Sequence, residues 1–186
     1  MEQLIDVIKK RRSVMPAQFD KREISNEKLQ LIFEAANWAP NHKLTEPWRF
    51  KVIRGNSKDK FGAFLSKKYV ETNSKVSLFK KKSIEEKVKK SSAIVLICMK
   101  RNDKKLLPEW EELAAVSMSV QNMWLQATHL EIGGYWSSTN LINYVGEFIN
   151  LEHGEKCLGI FYLGHYTMKI EQRSPSPVEG KLRWFE

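Results

Sequence analysis

The chain has little of what secreted and membrane proteins carry. It includes only two cysteines, Cys98 and Cys157. Each lies within an apolar run, so we expect small core residues in a reducing compartment and no disulfide framework. The N-terminus lacks a hydrophobic signal region, and the longest apolar run, residues 93–99, is far too short to span a bilayer. We therefore expect a cytoplasmic protein without a membrane partner, folded as one domain over residues 1–186.

Two common phosphate-binding loops are also absent. Neither Gly-x-Gly-x-x-Gly nor Gly-x-x-x-x-Gly-Lys-Ser/Thr occurs, so any phosphate must be held by side chains. The motif Gly-x-Ser-x-Gly is missing as well, which leaves covalent hydrolase chemistry with little support. His153, Glu155 and Cys157 alternate as metal ligands could, but one strand rarely supplies a complete site. We predict no metal site.

Acidic residues are outnumbered, since 31 basic and 22 acidic residues give a formal net charge of +9. The excess lies largely in a lysine-rich stretch between residues 67 and 90, which has no arginine and almost no aromatic residue. Surfaces that stack nucleic-acid bases interleave aromatic rings with arginine. We therefore interpret the lysines as a solvated face and predict no nucleic-acid partner.

Hydrophobic periodicity predicts both helices and strands. The longest helical pattern is apolar on much of its circumference, which predicts a central, largely buried helix closed by Gly133. The apolar C-terminal residues Leu182, Trp184 and Phe185 need a partner surface to cover them. We predict a first helix over residues 2–10, a second from an N-cap at Ser25 to before Pro40, and one or two more within 57–90. Further helices are predicted over 108–131 and near 145–151. The predicted strands cover residues 49–54, 92–99, 135–137 and 157–163.

The segment Arg11-Arg12-Ser13 is a candidate anion site. It ends a short amphipathic segment and offers two guanidinium forks and a hydroxyl, which is a donor set that suits a phosphate. Taken alone, two arginines at the end of a helix more often complement the helix dipole and face water. The pattern therefore needs support from elsewhere in the sequence.

That support comes from a loop bounded by Pro40 and Pro47, which fix φ at both of its ends. The loop holds His42 and Lys43, with Trp48 just beyond, and such a loop is built to present side chains. The order Arg-Arg-Ser, then Ala-Pro-x-His-Lys-x-x-x-Pro-Trp, resembles the nitroreductase family of FMN-dependent NAD(P)H oxidoreductases. The resemblance is to the short, single-domain branch of that family.

Three later segments extend the resemblance. Gly133-Gly134-Tyr135-Trp136-Ser137-Ser138 is similar to the family's Gly-rich turn and strand, which pass close to the flavin ring. Residues 158–165 resemble the family's late central strand. Arg173-Ser174-Pro175 resembles an Arg-x-Pro segment whose arginine reaches the flavin phosphate. The matches occur in the family's order along the chain.

The resemblance implies an α+β fold, with a mixed, mostly antiparallel sheet flanked by helices, assembled as a homodimer with FMN in the subunit interface. It implies transfer of electrons from NADH or NADPH to a nitroaromatic, quinone or similar small-molecule acceptor by a ping-pong mechanism. The cofactor would carry the chemistry, so no catalytic side chain is assigned. The alternative is a flavin-storage or sensor protein on the same fold with little turnover.

The family's roles can be carried to particular residues of this chain. By resemblance, Arg11, Ser13 and Arg173 hold the phosphate, and Arg12 lies close to the ribityl chain or the ring. Nine positions form the expected cofactor site in all: Arg11, Arg12, Ser13, Trp38, His42, Trp136, Ser137, Ser138 and Arg173. Of these, Trp136, Ser137 and Ser138 are expected to line the ring, while Trp38 and His42 reach it from the other subunit.

The chain also departs from the family pattern. Many members have a lysine, placed to stabilise negative charge on the reduced ring, where this chain has Met15. Lys43 and Arg12 are candidates to replace that cation. Many members also have asparagine and glutamine where this chain has Leu44 and Glu46, which leaves the hydrogen bonds to the ring open.

Overall fold

The computed structural model describes residues 3–104, 106–171 and 173–186, and within them four strands form one antiparallel sheet in the order β1-β2-β4-β3. The strands are β1 Trp48–Ile53, β2 Ala93–Lys100, β3 Ile132–Ser137 and β4 Glu155–His165. The α-helices are α1 Leu4–Lys10, α2 Asn26–Asn37, α3 Asn56–Thr72, α4 Leu78–Lys90 and α5 Glu109–His129. Short 3₁₀ helices lie at Pro16–Gln18, His42–Leu44, Asn140–Glu147 and Glu179–Lys181.

The sheet separates two hydrophobic clusters. On one face, α2 and α5 pack against it through residues such as Ile32 and Met123. On the other face, α3 and α4 contribute Phe61 and Val88 to the second cluster. Every residue of β2 from Ala93 to Met99 is fully buried, which confirms the predicted strand buried on both faces. The predicted α+β fold with an antiparallel sheet is therefore confirmed.

The helices begin where local sequence signals place them. The Ser25 hydroxyl caps α2 by accepting a hydrogen bond from the backbone N–H of Lys28 at 3.4 Å. Helix α5 begins directly after Pro108, with acidic residues in its first turn. The segment 57–90, predicted to hold one or two helices, forms two, α3 and α4. None of the helices within the described parts of the chain is long and apolar enough to cross a membrane.

The end of α5 differs from the prediction. Gly133 was expected to close this helix, and β3 was expected to begin at Tyr135, but β3 begins at Ile132 and includes both glycines. The left-handed residue after α5 is Glu131, with φ of 57°. The glycines serve close packing, since a Cβ on Gly134 would lie 2.7 Å from Cζ of Phe161. The predicted Gly-rich turn is therefore part of a strand.

Two further predictions need correction. The helix expected near residues 145–151 is a 3₁₀ helix over Asn140–Glu147, because the Thr139 hydroxyl caps an earlier start by accepting from Leu141 N–H. Helix α5 is buried on one face only. Leu113 and Met118 on its other face are 42% and 40% exposed in the single chain, so their apolar character does not reflect a core position.

The predicted mixed sheet also needs a narrower description. All strand pairs within the described residues are antiparallel, and the parallel element is an isolated bridge between Ser13 and Gly134. Cys98 and Cys157 occupy opposite positions on β2 and β4 as free thiols. Cys98 is buried, as predicted for a core residue, whereas Cys157 is partly exposed.

Candidate functional site

The isolated bridge joins the first motif of the sequence to the strand that carries the Gly-Gly segment. The backbone N–H of Val14 donates a hydrogen bond to the carbonyl of Gly134 at 3.0 Å. A Cβ on Gly133 would lie 2.9 Å from Cβ of Val14, so this approach requires a residue without a side chain. The Arg11-Arg12-Ser13 segment therefore lies directly against the edge of β3.

Three arginines lie close together beside this edge. Burial, followed by the positive charges of Arg12 and Arg173, lowers the pKa of Arg11. The Arg11 guanidinium lies 4.6 Å from the centre of the Trp124 ring on α5. Arg12 donates hydrogen bonds to the carbonyls of Lys9 and Arg11, both at 2.7 Å. No carboxylate of the described residues forms an ion pair with any of the three arginines.

Arg12 and Arg173 also line one cavity of about 790 Å³. Its wall includes Thr128 from the end of α5 and Tyr166 just after β4. Lys9 and Lys10 add to the positive charge of its wall, and acidic side chains line it too. These acidic residues are Asp6, Glu131 and Glu171.

The end of β3 presents its side chains to two different surroundings. Trp136 packs with the cluster on the α2 and α5 face, and its indole lies so close to β4 that a Cβ on Gly159 would collide with its Nε1. Ser137 and Ser138 instead line a cavity of about 510 Å³ that also includes Tyr162. Burial raises the pKa of Tyr162, so its hydroxyl stays protonated.

The proline-bounded loop has a well-defined backbone. Lys43 and Leu44 have φ of 53° and 50°, and the Asn41 side-chain oxygen accepts a hydrogen bond from Glu46 N–H at 2.9 Å. Trp38, just before the loop, is 78% exposed, and its Nε1 donates to Glu34 at 3.2 Å. His42 Nδ1 lies 2.7 Å from Glu111 Oε2.

Among the described residues, the side chains of Trp38 and His42 bond to Glu34 and Glu111 and not to another candidate residue of the same chain. Neither lines the cavity of Arg12 and Arg173 or the cavity of Ser137 and Ser138. The structure brings Arg11, Arg12, Ser13 and Arg173 together, along the same strand that leads to Ser137 and Ser138.

The sequence patterns did not identify two residues of this region, Trp124 and Lys87. Trp124 lies in the helix that was predicted to be largely buried, but its ring also packs against Arg11. Lys87 was assigned to a solvated face, but it lines the cavity of Ser137 and Ser138 and a second cavity that contains Met15. Helical periodicity along α4 could have placed Lys87 on one face with Phe79 and Ser83, but nothing in the sequence indicates what that face meets.

The sequence pattern of the nitroreductase family matches residues 8–165. The chain belongs to the nitroreductase family. Among its relatives, Escherichia coli (strain K12) YdjA, named as a candidate NAD(P)H nitroreductase, is 28% identical over 159 residues, covering 82% of this chain and 86% of YdjA. Bacillus subtilis (strain 168) YfhC, named in the same way, is 25% identical over 187 residues, covering 96% and 92%.

Solved structures of the family share the fold. A nitroreductase-like family protein from Bacillus cereus matches with a TM-score of 0.85 and 26% identity, covering 100% of this chain and 97% of the other. A Bacteroides fragilis nitroreductase with bound FMN matches with a TM-score of 0.71 and 19% identity, and each chain is covered completely. The second likeness concerns the fold alone, since the identity is low.

Proposed function

We propose that the protein is an FMN-dependent oxidoreductase that passes electrons from NADH or NADPH to nitroaromatic, quinone or similar small-molecule acceptors by a ping-pong mechanism. The observation that carries this proposal is the bridge between Ser13 and Gly134, which sets the Arg11-Arg12-Ser13 segment beside the strand that ends at Ser137. A phosphate grip and a strand edge able to meet a flat ring thus lie on one surface. The names of the relatives and the FMN bound by the Bacteroides fragilis protein support this assignment.

The donor set fits the phosphate of FMN. Arg11, Arg12 and Arg173 concentrate positive charge, and no carboxylate in the described parts of the chain neutralises it through an ion pair. A phosphate dianion would supply the missing charge through charge-assisted hydrogen bonds. The sequence has no Gly-rich dinucleotide loop, which favours the monophosphate FMN over FAD.

Bound FMN would supply hydride chemistry, accepting electrons from NAD(P)H and giving them to the acceptor. The chain's own residues bind and orient it. We assign Arg11, Ser13 and Arg173 to the phosphate and Arg12 to the ribityl chain or the ring. The backbone and hydroxyl groups of Ser137 and Ser138 are assigned to the polar edge of the ring, with Trp136 behind them on β3.

A homodimer would complete this site. The single chain exposes apolar side chains on α1, on α2, around the proline-bounded loop, on the outer face of α5 and in the C-terminal tail, and such a surface is typical of an interface. We propose that the dimer covers it and that Trp38 and His42 reach the flavin of the other subunit. The exposed apolar residues include Leu4, Ile8, Leu31, Trp38, Leu44, Trp110, Leu113, Leu182, Trp184 and Phe185.

An absorption spectrum of the purified protein, followed by anaerobic addition of each nicotinamide, tests the proposed activity. We expect a flavin spectrum, release of FMN on denaturation, bleaching by NADH or NADPH, and recovery of colour when a quinone or nitroaromatic is added. Steady-state plots at several acceptor concentrations should be parallel lines. If dithionite reduces the flavin and neither nicotinamide does, the storage or sensor alternative is the better account.

A complementation experiment tests the contribution of the second subunit. His42→Ala and Arg11→Ala chains are unfolded, mixed and refolded, so that heterodimers form. If His42 acts in the partner's site, each heterodimer has one site with both residues intact, and FMN stoichiometry should exceed that of either parent variant. Stoichiometry no higher than in the parents would assign Arg11 and His42 to the same subunit, and sedimentation of a flavin-bound monomer would refute the dimer.

A further inference from the structure

A second cavity, of about 550 Å³, lies between α4 and the 3₁₀ helix at Pro16–Gln18. We call it the α4 cavity. Its α4 wall is made by residues spaced three or four positions apart, which places them on one face of the helix. Its other wall is made by residues 15–17. The α4 residues that matter here are Phe79, Lys82, Ser83, Glu86, Lys87 and Lys90.

The α4 cavity adjoins the proposed flavin site on two sides. Met15, which lines it, follows Ser13 by two residues, and Ser13 lies against β3 at Gly134. On the other side, Ser83 and Lys87 line both the α4 cavity and the cavity of Ser137 and Ser138. A molecule in the α4 cavity would therefore lie next to a ring held along β3.

The wall of the α4 cavity combines an aromatic ring with positive charge. Phe79 is 85% exposed, so its ring is available to a planar molecule. Lys82 and Lys87 form no ion pair with a carboxylate of the described residues. Lys90 donates to the uncharged carbonyl of Ala17 at 3.2 Å. Three lysines thus face a single acidic residue of the wall, Glu86.

We infer that the α4 cavity selects aromatic electron acceptors that carry an anionic group such as a carboxylate. The ring of the acceptor packs against Phe79, while Lys82 and Lys90 attract the anion. The inference rests on the proposed function and specifies the acceptor class. For a nitroaromatic acid the reaction balances as ArNO₂ + NAD(P)H + H⁺ → ArNO + NAD(P)⁺ + H₂O, with two electrons transferred and the carboxylate unchanged.

The test compares two acceptors of similar shape, 4-nitrobenzoate and the uncharged 4-nitrobenzamide. In the wild-type protein we expect kcat/KM to be roughly two- to fivefold higher for the acid, a preference of the size that one partly exposed charge contact supplies. Lys82→Gln combined with Lys90→Gln should bring the ratio close to one. The matched control is Lys81→Gln with Lys89→Gln, which removes the same charge from α4 at positions that do not line the cavity. It should keep the preference.

Calorimetric titration with benzoate and benzamide provides a readout without turnover. Benzoate should bind several-fold more tightly, and the difference should shrink in high salt because exposed charges are screened. Phe79→Ala should weaken both ligands by a similar factor. Leu78→Ala is its control, since Leu78 is similarly exposed and does not line the cavity.

The possible outcomes separate the two proposals. If 4-nitrobenzamide is turned over but the acid is not preferred, the acceptor inference fails and the proposed function stands. If neither acceptor is turned over and no nicotinamide reduces the bound flavin, the proposed function fails, and the benzoate titration alone decides whether the cavity binds aromatic anions. If the Lys82 and Lys90 variant loses kcat/KM for NAD(P)H and keeps its acid preference, the lysines serve the nicotinamide phosphates and the inference is overturned.

Discussion

Two arginine sites of this molecule differ in whether a carboxylate neutralises them. We call Arg101 with Glu112 the structural cluster and Arg11 with Arg173 the open cluster. Arg101 donates to Glu112 at 2.7 Å, and the second oxygen of this buried carboxylate accepts from Asn102 N–H at 2.9 Å. Arg11 and Arg173, by contrast, lie near each other without an ion pair to any described carboxylate. The fold supplies its own counter-charge where an arginine is structural. Where that counter-charge is absent, as at Arg11 and Arg173, our proposal assigns it to the phosphate of FMN.

The largest effect is expected from removing the carboxylate that neutralises Arg101 in the structural cluster. Glu112→Ala would remove the 2.7 Å ion pair of Arg101, which keeps only the longer one to Glu109 at 3.8 Å, and would leave the Asn102 N–H without its acceptor. Breaking a buried pair of this kind costs about 3 kcal/mol. We expect the free energy of unfolding, measured by urea denaturation of the flavin-free protein, to fall by that amount. Gln121→Ala, on the exposed side of the same helix, should change it by less than about 0.5 kcal/mol. Equal effects would remove the distinction between the clusters.

A substitution in the open cluster should lower the affinity for FMN and leave the stability of the flavin-free protein unchanged. Arg173→Ala removes one charge-assisted contact, so FMN affinity should fall by roughly ten- to a hundredfold, or about 1.5–3 kcal/mol. Flavin fluorescence quenching measures the Kd, and urea denaturation of the flavin-free protein should give an unchanged midpoint. Lys169→Ala, in the same segment and exposed, is the control. An unchanged Kd would exclude Arg173 from the phosphate site.

A third substitution crowds the Trp124 ring, which packs against Arg11, and changes no charged side chain. A Cβ on Gly134 would lie 2.9 Å from Nε1 of Trp124, whose ring stacks with Arg11. Overpacking of this kind costs about 1–3 kcal/mol, so Gly134→Ala should lower both the unfolding free energy and the FMN affinity. Gly146→Ala is the control because its nearest neighbour would be 3.6 Å away. Loss of stability with unchanged FMN affinity would separate Trp124 from the site.

The smallest effect is expected at an exposed ion pair, that of Asp20 with Arg22. Hydrogen bonds from Arg22 lower the pKa of Asp20 below its ordinary value. The pair therefore contributes stability above the unfolded pKa of roughly 3.9, and that stability is lost as pH falls through the lower folded pKa. The difference in urea midpoint between wild type and Asp20→Asn should be constant from pH 7 to pH 5 and shrink at lower pH. A difference that grows on acidification would contradict this assignment.

Local signals in the sequence predicted much of the fold. The α2 start follows from the Ser25 hydroxyl, and β2 follows from an uninterrupted apolar run of strand length, as expected for a strand buried on both faces. The start of β3 was missed because Gly133-Gly134 is typical of a helix stop, whereas Glu131 adopts the left-handed conformation instead. Which face of α5 is exposed depends on tertiary packing, which its apolar sequence does not specify.

The sequence indicated the separate segments of the candidate site but not how the fold brings them together. The resemblance selected Arg11, Ser13 and Arg173, but the contact of Ser13 with Gly134 depends on the arrangement of the whole sheet. The same holds for the α4 cavity, since helical periodicity groups Phe79 with Lys87 without indicating that residues 15–17 lie opposite. Long-range contacts of this kind have no local signature.

The bridge between Ser13 and Gly134 also bears on how the chain folds. Its two ends are separated by most of the elements of the fold, so closing this contact early would cost considerable chain entropy before other contacts repay it. Among the described residues, strand β3 pairs within the sheet only with β4, the last of the four strands. The proposed anion site is therefore completed only when the C-terminal half has been synthesised and paired. A ligand that binds there stabilises finished molecules selectively over partly folded ones.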